Sequence, residues 1–415
     1  MIALFRWTPN VRSERITAMA TANVFERDGT EGRPRPSCAA RLSKLLLLAV
    51  AAYFFSYSAL WAQTSNSETG DADKSWTATT ESQGDSVNPT RTTESHTRIG
   101  NRTVDSQSVR RRGLDGHFEP YQDIEKETVK VDGATERTIT RAFARDADGA
   151  KVLMKITEEE KHTLPGGDSY VVRSMSDPDA YGKLQLVQRQ IEETKRISKD
   201  VEETKTTVML PSVTGGLAPA MKVEELRTLG ANNKVESQKT TLLPDGAGNW
   251  QVDEIWQATT RQEGKNRRTE ERVSRPDSDG KLGEISRTVS KESESASGEK
   301  RNTVETYSLD LPGSARDGKL HLVERSTTSQ STKSTGQQTT EQQVEQPNLG
   351  DPGSGLHVIT LTTDTVRPSP SGAQATRTIQ VRDANGSFGL ASVDTTRSDN
   401  IHAIQVRIAP SESPK

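Results

Sequence analysis

DSDGKLGEISRTVSKESESASGEKRNTVETYS, residues 277–308, holds one complete unit of this chain. It opens on an Asp-rich turn ending at Gly280, runs through a polar stretch to a second turn at 296–300 (ASGEK), and returns toward Tyr307. Glycines following turns rich in Asp, Asn or Pro recur at 116, 149, 182, 216, 248, 280, 318, 355 and 386, at spacings of 33, 33, 34, 32, 32, 38, 37 and 31 residues. A second set of turns lies midway, among them VDGAT at 131–135, LPGG at 164–167 and PSGAQ at 370–374. A period of this size marks an array of one supersecondary unit. One turn about every 17 residues leaves strands of about 11–14 residues between turns.

Residue type supports strands. Thr, Val and Ile are frequent, and Asp-Gly or Asn-Gly steps supply the positive φ angles that two-residue hairpin turns need. Alternation places Trp250, Val252 and Trp256 on one face, and likewise Val152, Met154 and Ile156, Tyr307, Leu309 and Leu311, and Ile404, Val406 and Ile408. The sequence therefore predicts an all-β fold, an antiparallel meander of about 16–18 strands built from hairpin repeats of about 33 residues over 109–409. Apolar residues cluster beside the Asp-Gly turns, as in GKLQLV (182–187) and GKLHLV (318–323), while the opposite hairpin ends are polar. A sheet packed over only part of its length would be an extended, twisted ribbon, partly single-layered, with unpaired edge strands open to self-association. One stretch has helical character: KLQLVQRQIEETKRISKDVEETKTT (183–207) lacks Gly and Pro and spaces Leu184, Val187 and Ile191 as a helix would. The repeat register makes it two strands around a turn near Ser198–Asp200.

Composition sets limits around this array. Of 415 residues, 31% are apolar, 4% aromatic and 27% charged, with a net charge of −3, which argues against a large layered core and a deep apolar catalytic pocket. The one long apolar run, Leu45–Ala62, follows Arg33, Arg35, Arg41 and Lys44, the order of a secretory signal or membrane anchor. Residues 1–62 are accordingly read as an N-terminal extension with this signal, 63–108 as a disordered Ser/Thr-rich linker, and 410–415 as a disordered tail. Cleavage after Ala62 would remove eight basic and four acidic residues together with Cys38, the only cysteine, leaving an exported part of about −7 with no disulfide. The expected location is extracytoplasmic: periplasm, cell surface or medium. Membrane contact is expected only through residues 45–62, if they are retained.

Familiar chemistry is missing from the sequence. No phosphate cradle or HExxH occurs, and the six histidines lie far apart, so no metal or cofactor is expected. Gly167-Asp168-Ser169, preceded by His162, falls in a predicted hairpin turn without the rigid frame that nucleophilic catalysis requires. Asp146-Ala147-Asp148-Gly149 and Asp277-Ser278-Asp279-Gly280 space carboxylates as calcium loops do but lack the remaining ligands. Basic residues scattered among acids argue against nucleic acid. An outer-membrane barrel needs an uninterrupted lipid-facing apolar band, and Lys, Glu and Arg occur on both strand faces here. The expectation is a non-enzymatic exported scaffold. The alternative is a glycan or envelope-polymer binding module using the sheet face around Trp250 and Trp256, with Tyr307 two strands away.

Overall fold

A computed structural model describes residues 75–398, apart from 85–88, 114, 147, 246, 310–317, 349–350, 370–371 and 384. The signal segment, residues 63–74 of the expected linker, the strand pattern at Ile404–Ile408 and the expected tail lie outside the described residues. The first five strands are β1 (Ser75–Gly84), β2 (Thr90–Ile99), β3 (Arg102–Arg112), β4 (Phe118–Lys130) and β5 (Thr135–Arg145). Next come β6 (Lys151–Thr163), β7 (Ser169–Pro178), β8 (Leu184–Ser198), β9 (Val201–Pro211) and β10 (Leu217–Leu229). They are followed by β11 (Val235–Pro244), β12 (Trp250–Glu263), β13 (Asn266–Pro276), β14 (Leu282–Glu294) and β15 (Lys300–Ser308). The last are β16 (His321–Thr332), β17 (Gln338–Asn348), β18 (Asp351–Ser369), β19 (Gly372–Arg382) and β20 (Phe388–Ser398).

Each strand pairs antiparallel with the next, and the series closes on itself: Thr80 of β1 lies opposite Ser398 of β20, and Gly84 opposite Asp394. The Thr80 hydroxyl lies 3.3 Å from that of Ser398 across this seam. The meander is thus a 20-stranded barrel, and the open or single-layer ribbon expected from the sequence is corrected. Among the described strands each has a hydrogen-bonded neighbour on both sides, β1 and β20 meeting over Thr80–Gly84 and Asp394–Ser398. Strands β1, β2 and most of β3 also occupy residues assigned above to a disordered linker. Their Thr- and Ser-rich sequences bury little apolar area, but each strand is hydrogen-bonded on both sides, so the ladder supplies what a core does not. The helix-like stretch forms β8 and β9, joined at 199–200.

A repeated device explains the closure. On every even-numbered strand from β4 to β20 the pairing skips one residue a few positions in from the strand start: Tyr121, Met154, Val187, Ala220, Asp253, Ile285, Val323, Ile359 and Ala391. A β-bulge bends its strand and increases local twist, and nine of them at one level turn the sheet in one direction. All lie toward the end carrying the Asp-Gly turns, called the Asp end below; both described termini, Ser75 and Ser398, lie at the other. Seven of the turns at the Asp end close over five residues rather than two. In the turn after β13, the Asp277 N–H donates to the Lys281 carbonyl at 2.9 Å and the Gly280 N–H to the Asp277 carbonyl at 3.1 Å. Gly280 alone takes a positive φ, 79°.

Register separates the two faces. All of the buried side chains except Val289 lie on one of them, including Ala78, Thr80, Gln190, Val208, Asp364, Ala375 and Ser398. Side chains converge on the concave side of a closed sheet, so this is the lumen face. Every substantial contact between strands runs between sheet neighbours, apart from a slight approach of β16 to β18 on either side of β17. No described element therefore occupies the lumen. A round barrel of 20 strands, spaced about 4.8 Å and tilted by about 40°, measures roughly 40 Å across its backbone.

Candidate functional site

The lumen wall is polar and differs around its circumference. From β16 through β20 to β2 it presents small hydroxyl, amide and methyl side chains, among them Gln342, Thr362, Ala375, Thr396 and Thr92. An ion pair is set into this part: Arg377 donates from Nε and Nη2 to the two oxygens of Asp364 at 2.7 and 2.9 Å. That double hydrogen bond raises the Arg377 pKa further above its ordinary value. From β6 to β13 the lumen wall carries charges in pairs. Arg173 donates to Glu159 at 2.7 Å and to the Gln190 amide oxygen at 3.3 Å. Lys239 lies 3.4 Å from Glu225 and Arg275 2.7 Å from Glu254. Burial holds the Glu192 carboxyl above its ordinary pKa; Arg173 opposes this, while Glu159 and Glu225 add to it. Threonine hydroxyls meet across strands at Thr128–Thr138, Thr194–Thr204 and Thr260–Thr269, 3.0–3.1 Å apart. A surface of this kind is suited to water and hydrophilic groups and offers little to an apolar one.

The outer wall is charged along much of its height. Glu305 of β15, Arg325 of β16 and Glu345 of β17 face one another in register. Arg325 reaches Glu305 at 3.0 Å and Glu345 at 3.6 Å, and Lys291 of β14 reaches Glu305 at 3.6 Å. Burial pushes the Glu305 pKa up, but the hydrogen bond from Arg325 and the charge of Lys291 outweigh it and hold the carboxyl below its ordinary value. Beside this row, Glu270 accepts from Arg272 at 2.7 Å and Arg287 accompanies Glu284 at 2.9 Å. Placing Arg or Lys at the middle of a lipid-facing barrel wall costs about 2–4 kcal/mol each. The wall across β13–β17 is therefore suited to water or protein, not to acyl chains.

A cleft of about 420 Å³ opens on this wall at the end opposite the Asp turns, lined by Arg261, Arg268, Lys291 and Arg301 with Glu263, and bordered by Arg267 and Glu292, which the register places on the lumen face. Sequence reading missed it, because bases that look scattered along the chain are gathered by pairing of β12 to β15. The signal available was RQEGKNRR at 261–268, with four bases in eight residues.

The predicted ligand-binding residues are not brought together. The bulge at Asp253 shifts the alternation within β12, so Trp250 and Val252 face outward and Trp256 faces the lumen. The same shift at Met154 separates Val152 from Ile156. The Lys222 ammonium lies 4.3 Å from the Trp250 ring centre, and that of Lys239 lies 5.1 Å from Trp256. Tyr307 faces outward on β15, three strands from β12 rather than two, with its hydroxyl donating to Glu305 at 3.5 Å. Closure of the barrel and this splitting of the aromatic set overturn both earlier functional readings, the open scaffold sheet and the polymer-binding face. The acidic turns have a local role: Oδ1 of Asp146 and of Asp277 each accepts two backbone N–H groups at 2.8–3.0 Å. Among the described residues no group of three His, Cys, Asp or Glu side chains assembles as a metal site.

No protein-family model matches the chain, and no curated protein matches it. Among solved structures, it is similar to Pseudomonas aeruginosa OccK2 (OpdF) in complex with glucuronate, at 8% identity and a TM-score of 0.37 over 79% of this chain and 97% of that one. It is similar to Salmonella typhi OmpF in complex with daunomycin at 9% identity and a TM-score of 0.34, over 79% and 98%. A BenF-like porin from Pseudomonas fluorescens gives 7% identity and a TM-score of 0.35, over 79% and 99%. Likenesses this distant decide nothing about the chain, whose barrel is established by its own pairing of β1 with β20.

Proposed function

We propose that this protein is a non-catalytic, water-filled passage for hydrophilic solutes in the cell envelope. The observation that carries the proposal is the closed barrel with a polar lumen that no described element occupies. A barrel of 16–18 strands already leaves an aqueous channel, and twenty leave a wider one. The signal-like order of residues 33–62 supports an envelope location. The charged outer wall supports a passage bridging an aqueous or protein-filled layer of the envelope, with no lipid against β13–β17.

Single-cysteine labelling tests this directly, in a Cys38→Ser background that removes the only native thiol. Thr362 and Thr363 are adjacent on β18 and face the lumen and the outside respectively. A small polar maleimide is expected to label Thr362→Cys and Thr363→Cys at similar rates. A maleimide carried on a large polymer is expected to label only the outer site quickly. Equal rates with the large reagent, or no labelling of Thr362→Cys by the small one, would sink the proposal.

A further inference from the structure

We infer that the basic cleft on β12–β15 is a binding site for a multiply charged oxyanion of the pyrophosphate class. The inference is independent of the lumen and rests on an anomaly of register. Arg261 lies directly opposite Arg268, and Arg268 directly opposite Lys291, so three neighbouring strands present cations to one another on the outer face. Side chains directly opposite on a sheet sit about 4.5–5.5 Å apart at Cβ, and like charges in such positions destabilise it.

Neutralisation from within the protein is poor. Arg268 is 3.8 Å from Glu270, a carboxylate already taken by Arg272 at 2.7 Å. Lys291 is 3.6 Å from Glu305, which Arg325 holds at 3.0 Å. No carboxylate pairs with Arg261 or Arg301 among the described residues. The space is also larger than one small ion needs, at about 420 Å³. Arginine forks match phosphoryl oxygens in pairs, and a row of three cations spans more than one phosphoryl group. A ligand with two linked phosphates satisfies both the charge and the length of the row. Such a group reaches an envelope protein either as a free solute or on a lipid headgroup.

The test uses the full chain at low salt, with inorganic pyrophosphate as one probe and phosphatidylcholine vesicles containing a polyprenyl diphosphate as the other. The parent is expected to bind one pyrophosphate per chain with a rise in Tm. R261Q/R268Q is expected to lose at least tenfold in affinity while its unliganded Tm stays level or rises, because the opposed cations are gone. K183Q/K281Q, at the Asp end, is expected to bind as the parent does. Vesicle binding that pyrophosphate displaces assigns the ligand to a headgroup, and pyrophosphate binding without vesicle binding assigns it to a solute. Failure of both probes to bind, equal affinity in R261Q/R268Q and parent, or a fall in unliganded Tm for that variant would overturn the inference.

Discussion

Two rows of charge on the same outer wall, a few strands apart, behave in opposite ways. Across β15–β17 the register places Glu305, Arg325 and Glu345 opposite one another, acid against base against acid, and Lys291 joins them. Across β12–β14 it places Arg261, Arg268 and Lys291 together, base against base against base. Composition does not distinguish the regions, since both are strands rich in Arg, Lys, Glu and Thr. Pairing register makes one row a stabilising ladder and the other an electrostatic cost that an anion would relieve. Lys291 belongs to both, so the second row is partly neutralised by the first.

The largest expected effect comes from removing one of the bends that curve the sheet carrying both rows. Deleting Ile285 leaves Glu284 and Ser286 adjacent and still opposite Ser274 and Val273, so each side chain keeps its face while the bend and added twist of the β14 bulge are lost. We expect a loss of more than about 3 kcal/mol in chemical denaturation, as other backbone faults cost; an unchanged midpoint would show that the bulge is incidental. Next, Glu305→Lys replaces the shared acid of the alternating row, whose side chain is 14% exposed. A cost of about 2 kcal/mol is expected from the lost charged hydrogen bonds and the new repulsion by Arg325, read as a lower Tm that salt partly restores. In the other row, Arg268→Glu should raise stability by about 0.5–1 kcal/mol, while abolishing pyrophosphate binding. A destabilised R268E would mean that the opposed cations are already compensated.

The smallest effect concerns the turns. Backbone N–H groups of Tyr181 and Lys183 hold the Asp179 carboxyl below its ordinary pKa, and those of Asn249 and Ala247 do the same for Asp245. A carboxyl with a depressed folded pKa contributes stability that is complete above its unfolded pKa, about 3.8 to 3.9, and that is lost as pH falls through the lower folded value. Thermal scans should therefore show a slight fall in Tm below about pH 4. D179N/D245N should remove that part of the slope, and an identical slope in the variant would count against the assignment.

How much was legible follows from which signals are local. Strand content and the alternation of the two turn sets rest on neighbouring residues, the strand identity of 183–207 rests on the period of the array against a local helical pattern, and the antiparallel meander appears as the sequence implied. The bulges were nearly readable: Leu186-Val187, Leu322-Val323 and Val358-Ile359 put two apolar residues side by side where a strict period of two allows one. Treating alternation as unbroken put Trp250 and Trp256 on one face, and a single skipped residue at Asp253 separates them. The expected linker failed for a different reason. Low apolar content suggests inability to order, but β1 and β2 are held by ladders on both sides and contribute to the seam. The cleft was not legible as a site, because Arg261, Lys291 and Arg301 are distant in sequence and meet only through pairing.

Turn chemistry and strand propensity act within a few residues, so the amino-acid order alone is enough to specify the hairpin units, their antiparallel succession and the polarity of both faces. Closure of the ribbon, the choice of which face became the lumen and the identity of the charges that stand opposite one another emerge only when the whole sheet is assembled. Those outcomes depend on curvature summed over nine bulges and on pairing between the first and last described strands. Neither quantity belongs to any one segment of the chain.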